Sequence, residues 1–139
     1  TLAALEATLR IYKEGRAATG IPTLSMIQAD ESLLKEKAEQ LRAALLAQPR
    51  ATEKYDVAIE RANAAVGGGS LPAVELPSYV VKVIPKHGKS AELLSALRDG
   101  TPAVVGYIRE DVAVFDTRTV AMKEIPELAE LIGNACAEA

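Results

Sequence analysis

Several residue types are scarce in this sequence. Its 139 residues include no tryptophan, one phenylalanine, one histidine and one cysteine, and aromatic residues make up 4% of the chain. The core must therefore consist mainly of leucine, isoleucine, valine and alanine. One cysteine cannot form a disulfide within the chain, which weakly favours a cytoplasmic protein. One histidine and one cysteine supply no metal-ligand set, so no metal site is predicted.

An excess of positive charge and a long apolar run are also missing. The 16 lysines and arginines are outnumbered by 19 acidic residues, which gives a net charge of -3. A domain that grips nucleic acid through its phosphates usually carries a basic face, so any tRNA contact should lie mostly elsewhere. The apolar runs are far shorter than the roughly 20 residues of a membrane helix, and no membrane partner is expected. The helical pattern begins at Thr1 without a methionine, which suggests a piece of a longer protein.

The residues that are present predict a single domain of the α+β class. With 49% hydrophobic residues the chain can bury an adequate core. Helical spacing of apolar residues predicts a helix from Leu2 to about Tyr12, a short helix over 22–27, and a third, capped by Asp30 or Ser32, to about Gln48. We expect residues 1–50 to form a helical linker and helices that pack on the rest.

The remaining residues, 51–139, predict strands and two more helices. Apolar alternation and turn residues set the expected elements. They are strands at 55–59, 78–84, 104–109 and 112–115, a helix over 90–98 capped by Ser90, and a last helix over 123–137. The Glu110-Asp111 pair is expected to join the last two strands in a tight turn. The order is three helices followed by ββαββα, which predicts a two-layer sandwich.

Four features are candidates for chemistry. Gly67, Gly68, Gly69 and Ser70 lie between predicted strands; they could cradle a phosphate, let a substrate approach the backbone, or form a plain turn, and no nucleotide-binding glycine pattern is present. His87 is predicted to be an exposed loop residue and Cys136 a thiol at a helix end.

Arg118 lies between a predicted strand and the last helix. It could offer its planar fork to a carboxylate or phosphate, or it could pair with Asp116 or an acid of that helix.

Several stretches resemble, in order, the C-terminal part of bacterial selenocysteine synthases, the L-seryl-tRNA(Sec) selenium transferases. They are Thr1–Leu9, Ile21–Leu24, Val66–Pro72 with Glu75–Ser78, and Asp116–Val120. The most specific is the Val-Gly-Gly-Gly-Ser-Leu-Pro segment at 66–72. The resemblance covers nearly the whole chain.

The resemblance implies a fold-type I pyridoxal phosphate enzyme, with this chain as its small C-terminal domain. Such an enzyme converts seryl-tRNA(Sec) to selenocysteinyl-tRNA(Sec) with selenophosphate, and it is a cytoplasmic homo-oligomer. In the family the cofactor lysine lies in a large domain upstream of the segment that matches Thr1. No lysine here matches it, including Lys82, Lys86, Lys89 and Lys123. The resemblance therefore implies that this chain alone binds no cofactor, has no catalytic residue and is inactive.

The same resemblance selects candidate substrate-binding residues. Relatives of this fold type often place a substrate-binding arginine where Arg118 stands, and the loop of Gly67–Ser70 would lie near the cleft. Arg109 and Arg98 are weaker candidates. Tyr107 departs from the pattern, because the family often has a second arginine in this strand. A paralogous pyridoxal phosphate lyase that acts without tRNA, or a free-standing α+β interaction domain, therefore remains an alternative.

Overall fold

The computed structural model describes residues 1–65 and 75–138. Seven α-helices and four strands lie in these ranges: α1 Leu2–Lys13, α2 Ala17–Gly20, α3 Pro22–Ile27, α4 Glu31–Leu46, α5 Ala51–Lys54, β1 Tyr55–Ala65, β2 Glu75–Pro85, α6 Ser90–Asp99, β3 Tyr107–Arg109, β4 Val112–Asp116 and α7 Ile125–Glu138. Two short 3-10 helices, Thr117–Thr119 and Met122–Glu124, join β4 to α7.

The four strands form one antiparallel sheet in the order β1-β2-β4-β3. The strands β1 and β2 pair along their full lengths, from Tyr55 opposite Pro85 to Ala65 opposite Glu75. The turn between β3 and β4 places Glu110 and Asp111 at φ 54° and 62°, the left-handed conformation that a two-residue hairpin requires. The sheet and its helices confirm the predicted α+β fold.

The core lies between one face of the sheet and the helices α4, α6 and α7. On α4, Leu34, Ala38, Leu41 and Leu45 are fully buried, at the spacing that places them on one helix face. The sheet contributes alternate residues of its central strands to the same cluster. The helix α4 therefore packs on the sheet and against α7, although its residues precede the first strand.

Several element boundaries differ from the sequence-based expectation. The strand β1 runs to Ala65 instead of Ile59, and β3 starts at Tyr107 instead of Val104. The expected Ser90 cap is wrong, because Lys89 holds the N-cap position of α6 and its backbone N–H donates to the Glu92 carboxylate at 3.0 Å. The Ser90 hydroxyl donates to the Asp111 carbonyl at 2.7 Å. The short helices α2 and α5 were not predicted. The candidates Gly67, Gly68, Gly69 and Ser70 lie outside the described residues.

None of the helices in the described ranges is both long and apolar enough to cross a membrane.

Candidate functional site

Arg118 occupies the junction between the N-terminal helices and the sheet. Its side chain is 7% exposed. Its Nη1 donates to the carbonyl oxygens of Met26, at 2.6 Å, and Ile27, at 3.2 Å, at the end of α3. Its Nη2 donates to the Pro77 carbonyl near the start of β2. The planar fork therefore joins α3 to β2 through backbone acceptors.

This geometry differs from both sequence-based interpretations of Arg118. The guanidinium is not presented to solvent in an open cleft. Its contact with Asp116 is made by the backbone N–H, which donates to Oδ1 at 2.9 Å, and is not an ion pair. The Nε has no hydrogen-bond partner among the described residues. The arrangement favours a structural role, and the substrate-binding role stays a prediction.

A second buried cation lies beside Arg118. The Lys37 Nζ donates to the Val120 carbonyl at 2.7 Å, and the Thr117 carbonyl lies 3.5 Å away. Burial lowers the pKa of Lys37 below its usual range, and the positive charge of Arg118 lowers it further. The sequence pattern places Lys37 among the charged residues on the solvent-exposed side of its helix, so its burial was not expected.

The short segment that carries Arg118 is held at several further points. The Thr117 hydroxyl lies 2.8 Å from the Tyr79 carbonyl and 3.1 Å from the Leu34 carbonyl. The Ser78 hydroxyl donates to Asp116 Oδ1 at 2.6 Å. The segment from 116 to 120 is therefore bonded to α3, α4 and β2 at once, which makes it the most highly connected polar region among the described residues.

A charged cluster lies on the sheet face opposite the helices. Glu60 of β1 accepts from Lys82 of β2 and from Arg109 of β3. The hydrogen bond from Lys82, helped by the charge of Arg109, lowers the pKa of Glu60. A bridge from β1 to β3 must cross the two central strands, where the apolar Val80 and Val114 on this face are fully buried.

Tyr107 stands on the same face as this cluster. It is opposite Val114 in the pairing of β3 with β4 and remains partly exposed. Burial raises the pKa of Tyr107, and the negative charge of Asp116 raises it further. The face therefore brings the candidate Arg109 together with Tyr107, but Arg118 directs its fork toward α3. Arg98, the third candidate, is exposed in the last turn of α6.

The described lysines do not fit a pyridoxal phosphate site. Such a site needs a lysine amine free to bond the cofactor in a cleft, with donors for its phosphate. The amine of Lys37 is held by backbone carbonyls, Lys82 pairs with Glu60, and Lys86 donates to the Thr52 carbonyl at 2.8 Å. Lys89 and Lys123 are exposed on the surface. No cofactor chemistry is therefore assigned to these residues.

The remaining reactive side chains form no site of their own in the described part of the chain. Cys136 is buried on α7, and burial raises the pKa of its thiol to about 11, which disfavours the reactive thiolate. His87 is exposed in the turn after β2. No group of three or more potential metal ligands comes together within residues 1–65 and 75–138.

The comparisons with known proteins agree on one family. The model of the L-seryl-tRNA selenium transferase family matches residues 1–121. Curated relatives named L-seryl-tRNA(Sec) selenium transferase are 36% identical in Carboxydothermus hydrogenoformans, over 95% of this chain, and 38% identical in Moorella thermoacetica, over 96% of it. A third, from Aquifex aeolicus, is 36% identical over 95% of this chain. The chain spans 28% of the length of each of these relatives. The chain belongs to the L-seryl-tRNA selenium transferase family.

Proposed function

We propose that this chain is the C-terminal domain of a selenium transferase that converts seryl-tRNA(Sec) to selenocysteinyl-tRNA(Sec) with selenophosphate. The observation that supports the proposal is the family match over residues 1–121, together with relatives named L-seryl-tRNA(Sec) selenium transferase. The parent enzyme uses pyridoxal phosphate, works in the cytoplasm and assembles as a homo-oligomer. Its large domain and sister subunits are the partners of this chain.

Within the parent, this chain supplies shape and polar contacts while the cofactor is held elsewhere. Two observations support that division. The described lysines are held by other groups or lie on the open surface, and the relatives are more than three times as long as the chain. Pyridoxal phosphate, when bound in the parent, supplies the electron sink. The chain alone is therefore proposed to be inactive, with residues 1–50 packing on an α+β unit at 51–139.

The second candidate is a related lyase that acts on a small amino compound without tRNA. Tyr107 favours it, because the resemblance places an arginine in this strand in many family members. The guanidinium of Arg109 lies two residues further on and is paired with Glu60. The names of the curated relatives favour the tRNA-dependent reaction.

The experiment compares the parent protein with this chain under identical conditions. We expect the parent to convert seryl-tRNA(Sec) with selenophosphate and to give a cofactor–lysine adduct that borohydride traps. We expect the isolated chain to give neither. A stoichiometric adduct on one lysine of the chain would overturn the division of labour. A parent that acts on free amino compounds but not on seryl-tRNA(Sec) would establish the lyase instead.

A further inference from the structure

The helix α1 carries an apolar stripe that nothing in the described chain covers. Its members are Leu2, Leu5, Leu9 and Tyr12, which are 82%, 55%, 57% and 52% exposed. Their spacings of three, four and three residues are those of a coiled-coil seam. No residue of α1 is buried. We call these four residues the α1 seam.

The α1 seam points away from α2, which packs against α1. Ile11, which is half-buried, lies against Gly20 of α2, where an added Cβ would stand 2.9 Å from the Ile11 Cγ2. At 100° per residue Ile11 is on a different side of α1 from Leu5 and Leu9. The contact with α2 therefore fixes α1 at one side and leaves the seam open.

A second copy of the chain is a poor match for the α1 seam. The helix has 12 residues, fewer than two heptads, whereas stable coiled coils sustain the pattern over at least about three heptads. Four side chains also bury much less than the roughly 1,200 Å² of a stable interface between separate proteins. Self-association through α1 would therefore be weak.

The part of the parent polypeptide outside this chain is a better match for the α1 seam than a second copy is. The chain spans 28% of the length of its relatives, so most of such a protein lies outside it. A surface on the same polypeptide is present at a high effective concentration, so a small apolar contact suffices to hold it. A helix of this length is marginal without tertiary packing, and covering the seam would stabilise it.

We propose that α1 is a docking helix, whose seam packs into an apolar helix or groove in the part of the parent polypeptide outside this chain. The inference rests on the proposed function only in that a longer parent exists. It assigns to α1 the task of fixing this unit relative to the remainder of the protein.

The test measures hydrogen exchange of the α1 amides in the chain and in the full parent protein. We expect the α1 amides to exchange about tenfold or more slowly in the parent than in the chain. The double variant Leu5→Asp and Leu9→Asp should lose this protection. The matched control is Ala3→Asp with Ala7→Asp, which adds the same charge on the opposite side of the same helix and should keep the protection. Equal exchange rates in chain and parent would overturn the proposal.

Two further outcomes keep this proposal separate from the proposed function. Sedimentation of the chain from micromolar to millimolar concentration should show a monomer; a dimer that Leu5→Asp abolishes would replace the parent with a second copy. A parent that protects α1 but transfers no selenium would refute the function and leave the docking helix standing. A parent that transfers selenium with α1 unprotected would support the function and refute the docking helix.

Discussion

Arg118 takes its hydrogen-bond acceptors from parts of the chain that are far apart in sequence. The carbonyls of Met26 and Ile27 lie about ninety residues earlier, and that of Pro77 about forty. A guanidinium suits this task, because its rigid fork keeps its charge and offers five donors. Hydrogen bonds from a charged donor contribute more to stability than bonds between neutral groups.

Replacing Arg118 should therefore weaken the fold. We expect Arg118→Ala to lower the free energy of unfolding by about 2–3 kcal/mol, because three carbonyls lose a charged donor. We expect Arg118→Lys to recover only part of this, since one ammonium cannot span both sides of the fork. Urea unfolding of the chain, followed by circular dichroism, measures both.

Arg98→Ala is the control for this prediction, because Arg98 is exposed and should change stability by no more than about 0.5 kcal/mol. If Arg118→Ala leaves unfolding unchanged but abolishes turnover of the parent, the substrate-binding prediction for Arg118 is supported instead.

Cys136 makes stability depend on pH in the alkaline range. Burial raises the pKa of its thiol from 9.0 to about 11. The folded state therefore holds the proton more tightly than the unfolded state, so stability is full below pH 9 and falls as pH rises toward 11. Lys37 acts in the opposite direction, because its pKa is lowered.

The contribution of Cys136 is isolated by comparing the chain with Cys136→Ala. Between pH 9 and 11 the variant should lose less stability than the unsubstituted chain, as measured by urea unfolding at each pH. The native thiol should also react slowly with a thiol reagent at pH 8. Rapid modification without unfolding would show that the thiol is accessible and that its raised pKa has another origin.

At the scale of elements, the sequence predicts those whose stability is local. The helix α4 was expected because Leu34, Leu41 and Leu45 recur at helical spacing, and the β3–β4 hairpin because a two-residue turn leaves few alternatives. Residues 60–65 have no strong strand preference, yet they extend β1 because β2 offers a complete ladder of partners.

The elements and contacts that sequence missed depend on distant groups. The Val104 N–H donates to the Leu97 carbonyl at 2.8 Å, so it lies outside β3. The hydroxyl of Ser90 binds the Asp111 carbonyl instead of capping its own helix. The acceptors of Arg118 are likewise set by tertiary packing. Such contacts follow from the fold and leave no periodic signal in the sequence.

The approach to β3 depends on the absence of a side chain at Gly106. A Cβ there would lie 2.9 Å from both Leu94 Cδ2 and Phe115 Cε1, and 3.0 Å from the Val114 carbonyl. We expect Gly106→Ala to destabilise the chain by about 1–3 kcal/mol, because the sheet and α6 would have to separate. Thermal unfolding measures the change.

Gly133→Ala is the matched control for Gly106→Ala. Its nearest neighbour would be the flexible Gln48 side chain, at 3.3 Å, and alanine is the better helix former by up to about 1 kcal/mol. This substitution should be neutral or stabilising. Equal effects of the two substitutions would show that the structure places β3 too close to α6.

At the scale of the whole molecule, the N-terminal helices differ in their attachment. The helix α4 supplies fully buried leucines to the core, and α3 supplies carbonyls to the Arg118 fork. The helix α1 has no buried residue. The fold therefore extends backward from the sheet to α3, and α1 adds a surface and little stability.

Two truncations test how much the N-terminal helices contribute to the stability of the chain. Removing residues 1–13 should leave the free energy of unfolding of the remainder within about 0.5 kcal/mol, because no buried side chain is lost. Removing residues 1–29 deletes the Met26 and Ile27 carbonyls that receive the Arg118 fork, and it should cost more than about 1 kcal/mol. Urea midpoints of the three chains decide between these outcomes. If the shorter truncation already costs as much as the longer, α1 packs on this chain itself, and its seam is not available for the docking contact proposed for the parent.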